Sequence, residues 1–146
     1  MGVFSAMNVS ATGMTAQQLR MDVIAENIAN ANTTRTENGT AYRRKTVVMS
    51  EQDTTAFDHI LNGYLSYYNP NGVKVTQIVE DKSDLRLVYE PDNPDANEDG
   101  YVEYPNVDTV TEMTNLIDSS RAYEASATAF NAAKSMASTG LKLFES

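Results

Sequence analysis

Apolar residues recur every seven positions at both ends of this chain, and that spacing constrains its fold more than any other feature. Met7, Met14, Met21 and Ile28 stand seven apart, with Ile24 and Ala31 three beyond the last two. Such a recurrence lines side chains along one seam of a helix that packs on other helices. No Pro falls within residues 5–32, and Gly13 is the only Gly there. Toward the other end, Leu116, Tyr123, Phe130, Ala137 and Phe144 repeat the spacing, and Ala127 and Leu141 add a flanking row. Val110, Met113 and Ile117 form a shifted stripe, so a stutter is expected near Ser119 and Ser120. Asn106 or Asp108 suits the cap of this second helix, with Thr109 and Glu112 in its first turn.

Between the seams the character changes. All four prolines lie at 70, 91, 94 and 105, among the turn dipeptides Asn38-Gly39, Asn62-Gly63 and Asn71-Gly72. Short β-branched or alternating runs at 42–49, 73–79, 85–89 and 100–104 predict a small, mostly antiparallel sheet. Residues 90–99 read as an acidic, Pro-rich loop, and residues 54–68 as either a helical turn or a loop. The expected class is α+β: a helix over 1–32, a β-rich middle over 33–105, and a helix over 106–146. The two helices are expected to pair as a coiled-coil-like arm. Leu, Ile, Val and Phe number only 29 of 146 residues, and Met seams adapt to partners more than they specify one. One arm's seam returns less than its ordering costs in conformational entropy. Both arms are therefore expected to be mobile in the monomer and to order on assembly.

Composition removes several function classes. There is no Cys and one His, which excludes disulfide scaffolds, thiol catalysis and Cys-ligated zinc. The net charge of −9 opposes phosphate binding. Residues 80–103 hold nine acids against Lys82 and Arg86, so most of the charge belongs to one stretch. No apolar run reaches the roughly 20 residues that span a bilayer. The first residues lack a basic and apolar leader, so no cleaved secretory signal is expected.

The candidate chemical sites are few. Asp95, Asn97, Asp99 and Gly100 match the opening positions of a calcium-binding loop, but Asn106 stands where the bidentate Glu belongs. An acidic turn entering a strand is the preferred reading, with a cation-binding oligomer as the alternative of a different class. Arg43, Arg44 and Lys45 form the only basic cluster, read as a solvated strand face in preference to a contact with an acidic partner. Tyr64, Tyr67 and Tyr68 read as the edge of a small core, and His59 as a surface or half-buried residue. No arrangement of acid, base and nucleophile emerges, so the chain is read as no enzyme, with no cofactor and no metal.

Two segments carry a family resemblance. Residues 10–33 (SATGMTAQQLRMDVIAENIANANT) resemble the N-terminal signature of bacterial flagellar rod and hook proteins, through Asn27, Asn30, Ala31, Asn32 and Thr33. Residues 106–125 (NVDTVTEMTNLIDSSRAYEA) resemble the C-terminal signature, through Asn106, Val107, Asp108, Met113, Arg121, Tyr123 and Glu124. Ser126 departs from the Asn common there. In the middle, GVKVTQIVED at 72–81, LVYEPD at 87–92 and GYVEYPNVD at 100–108 are similar to proximal rod members of the family, another axial position being the alternative. The resemblance implies a structural subunit of the basal-body rod that is exported uncleaved through the flagellar type III apparatus. It implies terminal helices packed in a helical tube that transmits torque and forms the export channel, placed in the periplasmic rod. Partners would be the same chain and other axial rod proteins, with no nucleic acid, membrane insertion or small-molecule substrate. The packing residues would be Met7, Met14, Met21, Ile24, Ile28, Val110, Met113, Leu116, Ile117, Tyr123, Phe130 and Phe144. Asn27, Asn30 and Asn32 would bond the turn out of the first helix, and Arg121 and Glu124 would make polar contacts between subunits or with the other helix.

Overall fold

The computed structural model describes residues 2–52 and 71–145, apart from the side chains of Phe144 and Glu145. Residues 54–68, with His59, Tyr64, Tyr67 and Tyr68, lie outside the described residues. The elements run α1 (Val3–Ala29), β1 (Lys45–Glu51), β2 (Val73–Glu80), β3 (Arg86–Tyr89), β4 (Tyr101–Tyr104) and α2 (Thr109–Glu145). This is the expected α+β order, two long terminal helices flanking two antiparallel strand pairs.

Both helices are rich in Ser and Thr, residues whose hydroxyls compete for backbone groups. Here the hydroxyls turn back onto their own helix. Those of Ser10, Thr12 and Thr15 donate to the carbonyls of Ala6, Val9 and Ala11. In α2, Thr114, Ser126 and Thr128 do the same to Val110, Ala122 and Glu124. α1 closes with tight bonds from Ala31 N to the Ile28 carbonyl and from Thr33 N to the Asn30 carbonyl. α2 opens on Asp108, which caps it. Its Oδ2 accepts the Thr111 hydroxyl, its Oδ1 accepts Val110 N at 3.2 Å, and its carbonyl accepts Glu112 N. The Thr111 hydroxyl and then the Val110 N–H hold the Asp108 carboxyl below its ordinary range.

The strands divide into two pairs, β1 with β2 and β3 with β4. Asp81 N donates to the Arg44 carbonyl at one end of the first pair, and Gln52 N to the Gly72 carbonyl at the other, which is the antiparallel sense. In the second pair Arg86 faces Tyr104, Leu87 faces Glu103, Val88 faces Val102 and Tyr89 faces Tyr101. Gly100 turns this hairpin at φ 82°, and a Cβ there would lie 2.9 Å from the Tyr89 ring, so conformation and space both require Gly.

The chain forms two compact units. Among the described residues, one comprises 2–19, 49–52, 71–76 and 119–145, with Ala16 and Ala133 buried in it. There α1 meets α2 at small residues: a Cβ on Gly13 would stand 3.2 Å from Ser126 Oγ. Gly72 lies directly against the Thr12 side chain, whose hydroxyl accepts Val73 N at 3.1 Å. The other unit comprises residues 20–48 and 77–118 and buries Val23, Ile24, Ala31, Ala41, Tyr42 and Val102.

The burial along α2 corrects the expected stutter. Glu112, Ser119 and Ala133 are buried, and Leu116, Tyr123, Ser126, Phe130 and Ala137 half-buried. Their spacing alternates four and three without a break through Ser119 and Ser120. One row of this seam is small or polar, so it is invisible to a search for apolar residues. Val110, Met113 and Ile117 belong to another face and are 70%, 58% and 53% exposed.

Candidate assembly surface and its polar node

The best-ordered chemistry in the described residues is a polar node within the second unit. Asn27, the last polar residue of α1 to face inward, is fully buried. Its Nδ2 donates to the Lys45 carbonyl at 2.8 Å and to Glu112 Oε2 at 2.9 Å. Its Oδ1 accepts Lys45 N and the Tyr42 hydroxyl, each at 2.9 Å. An amide has two donors and two acceptor positions, and all four are used. Glu112, 1% exposed, takes Arg44 through Nε at 2.9 Å and Nη2 at 2.8 Å on its other oxygen. This is a paired, multiply bonded buried charge, the arrangement that makes such burial tolerable.

A second asparagine extends the node. Asn106 Oδ1 accepts Arg44 N at 2.9 Å, while its Nδ2 donates to the Ser83 hydroxyl and the Asp81 carbonyl. Arg43 donates to the Ser83 carbonyl at 2.9 Å, and Lys45 pairs with Glu26 at 2.6 Å and lies over the Tyr42 ring. The basic cluster is thus no solvated face. It stands at the start of β1, where Glu26, Asp81 and Glu112 supply its counter-charges. The Ser83 backbone and side chain, then Arg44 at 3.7 Å, draw the Asp81 carboxyl below its ordinary range. Burial, then the charges of Glu26, Glu112 and Glu80, push the Tyr42 phenol up to about 12.

The residues singled out from sequence fall into three environments. Ile24 is buried, while Met7, Met14, Met21, Ile28, Leu116, Tyr123 and Phe130 are half-buried. Val110, Met113 and Ile117 face outward, as do Arg121 and Glu124, and the Phe144 side chain lies outside the described residues. Asn27 and Asn106 meet through Arg44 and Lys45. Asn30 serves the helix end instead, donating to the Glu26 carbonyl and accepting the Thr33 hydroxyl. Asn32 is exposed and Val107 half-buried. Sequence reasoning missed Tyr42, Lys45 and Glu112 as partners of Asn27, and Arg44 as the partner of Glu112. The available signal was Glu112, Ser119, Ser126 and Ala133 at seven-residue spacing.

Two of the three candidate cation ligands in the acidic loop, Asp95 and Asn97, turn their oxygens onto the chain itself. Asp95 accepts the Thr34 hydroxyl at 2.8 Å and lies 3.7 Å from Arg35. Asn97 Oδ1 accepts Asp99 N and Tyr101 N, closing an Asx turn. Among the described residues no three His, Cys, Asp or Glu side chains are grouped to hold a metal, and no helix is long and apolar enough to cross a membrane.

The two halves of the node coincide with two family matches. Residues 7–35 match the family described as flagella basal body rod protein, and residues 98–143 the flagellar basal body rod FlgEFG protein C-terminal family. Full-length similarity decides the matter more narrowly. The flagellar basal-body rod protein FlgC of Bacillus subtilis is 48% identical over 98% of this chain and 99% of its own length. The FlgC of Borreliella burgdorferi is 43% identical over 99% of both chains. The chain belongs to the FlgC family of flagellar basal-body rod proteins. FlgC of Salmonella typhimurium, 35% identical over 93% of each chain, lies in the same family. As a FlgC-family member the chain is a structural subunit of the basal-body rod. Asn27 comes from one matched segment and Glu112 from the other. Arg44, which pairs with Glu112, lies outside both matched segments and inside the full-length similarity.

Proposed function

We propose that this chain builds the proximal rod by polymerising through its terminal helices, with copies of itself and with other axial rod proteins. Residues 1–32 and 106–146 serve as the rod helices, and residues 33–105 as the middle domain they carry. The observation behind this reading is the division of α2 into two faces. The seam that faces the chain pairs a small or polar row with the half-buried Leu116, Tyr123 and Phe130, whereas Val110, Met113 and Ile117 stand exposed at i, i+3 and i+7. An apolar stripe in water signals a partner surface. Met7, Met14, Met21, Ile28, Leu116, Tyr123 and Phe130, half-buried in the single chain, would gain cover in the same assembly.

The role is mechanical: the assembled tube transmits torque, and its lumen passes later subunits. The chain itself crosses the cytoplasmic membrane through the flagellar type III apparatus without a cleaved signal and takes its place in the periplasmic part of the rod. It works as scaffold with no catalysis and no cofactor. The test is Met113→Asp with Ile117→Asp, two exposed sites whose change leaves the buried node intact. The purified variant is expected to keep wild-type helical circular dichroism, while cells carrying it lose swimming and rod incorporation. Normal motility would reject the stripe as an assembly surface.

A further inference from the structure

The β3–β4 hairpin presents a second surface, distinct from the helix stripe and independent of the reading above. Side chains alternate across a strand pair, so directly opposed residues share a face. Val88 and Val102 face inward, and Val102 is fully buried. The opposite face carries Leu87, Tyr89 and Tyr101, exposed by 60%, 63% and 42%, with exposed Glu103 directly across from Leu87. The two tyrosines meet edge to face at 5.3 Å between ring centres, which gives the patch a rigid aromatic centre. Its surroundings are predominantly acidic: Asp92, Glu98 and Asp99 are exposed in the loop that joins the two strands. Among the described residues the one cation lining the hollow beside Tyr101 and Glu103, Arg35, is paired with Asp95 at 3.7 Å. The hairpin's own Arg86 lies on the other face, over the Tyr104 ring at 5.2 Å.

We infer that this face docks a basic protein partner other than a second copy of the chain, with Leu87, Tyr89 and Tyr101 as the apolar anchors and Glu103 and the loop acids as the charged rim. An aromatic centre ringed by charge is the anatomy of a specific interface. The rim sets the sign of the partner by complementarity. A second copy fits poorly. It carries the same −9 charge, and its basic cluster of Arg43, Arg44 and Lys45 is already bonded to its own Asp81, Ser83, Glu112 and Glu26. Its exposed Lys82, Arg121, Lys134 and Lys142 are scattered singly along the sequence. Lys and Arg side chains of a different protein supply what the rim lacks, and their alkyl stems and guanidinium planes pack well on tyrosine faces.

The test pairs a defined probe with a contact map. A short synthetic peptide of alternating Lys and Leu is titrated onto the full chain, and backbone amide shifts are followed. Expected are shifts centred on Leu87, Tyr89, Tyr101 and Glu103, and binding weakened about tenfold by Leu87→Ala or Glu103→Lys. Binding should also weaken severalfold as salt rises from about 0.05 M to about 0.3 M. Both substitutions are exposed and leave the Tyr89–Tyr101 pair in place, so unchanged circular dichroism certifies the fold. In motile cells, a photo-cross-linking residue at position 87 should capture a different protein at a Lys- or Arg-rich segment. Shifts confined to the loop acids and indifferent to Leu87→Ala, or cross-links only to copies of the same chain, would overturn the proposal.

Discussion

Asn27 spends its whole hydrogen-bonding capacity on groups that lie far from it in sequence: Tyr42, Lys45 and Glu112. Removing one member therefore strands the others away from water, where an unpaired charge costs more than the pair contributes. Glu112→Ala leaves the half-buried Arg44 guanidinium with only Asp81 at 3.7 Å and strands an Asn27 N–H, and a loss of about 3 kcal/mol is expected in urea unfolding. Asn27→Ala, which strands a carboxylate oxygen and two backbone groups, should fall near the same range. Tyr42 adds a pH signature. Its phenol titrates at about 12 in the folded chain against 10.0 when free, so the folded state holds the proton more tightly. The stability this represents is complete below pH 10 and is lost as pH rises toward 12. Burial and then the Glu90 carboxylate raise the Tyr104 phenol as well, so late tyrosinate absorbance should accompany alkaline unfolding and Tyr42→Phe should diminish it without abolishing it. Asp108 and Asp81 act at the other end of the scale, because their folded carboxyls titrate below 3.8. Their contribution is present above that value and fades as pH falls through their lowered range.

At the scale of elements, the seven-residue spacing correctly marked two long helices, and the four short runs marked four strands within a few residues. Apolar periodicity is legible because it reports the face a helix must bury. The other half of the α2 seam was not, since Glu112, Ser119 and Ser126 carry no apolar signal; Glu112 is buried through bonds to Asn27 and Arg44 that only the folded chain supplies, and Ser126 packs where Gly13 lets α1 approach. The same closeness predicts an asymmetry. Ser119, 1% exposed, has no room for a larger group, so Ser119→Leu should destabilise by about 1–3 kcal/mol despite adding hydrophobic surface. Ile117→Ser, on the exposed face two residues away, should change stability by under about 0.5 kcal/mol. Denaturant midpoints of the two variants measure that difference. Both helices should also exchange amide hydrogens faster in dilute monomer than in assembled rods.

For the molecule as a whole, the scarcity of strong core residues and the exposed α2 stripe describe one property. The buried apolar set among the described residues is mostly Ala and Val, too modest to use all the apolar side chains that two long helices carry. The remainder are half-buried, as Met14 and Phe130 are, or face outward, as Val110 and Met113 do. Family membership followed from the two ends and the full-length similarity, whereas the node that ties those ends together became visible only in the fold. The acidic hairpin adds a second outward face of different character, aromatic and negative where the helix stripe is aliphatic. The most direct test of the central claim is electron cryomicroscopy of intact basal-body rods containing this subunit, at a resolution that places side chains. Val110, Met113 and Ile117 should be covered by neighbouring subunits, with the Asn27–Glu112–Arg44 node preserved inside each chain. Rods in which that stripe faces solvent, or in which the node is broken on assembly, would contradict the account.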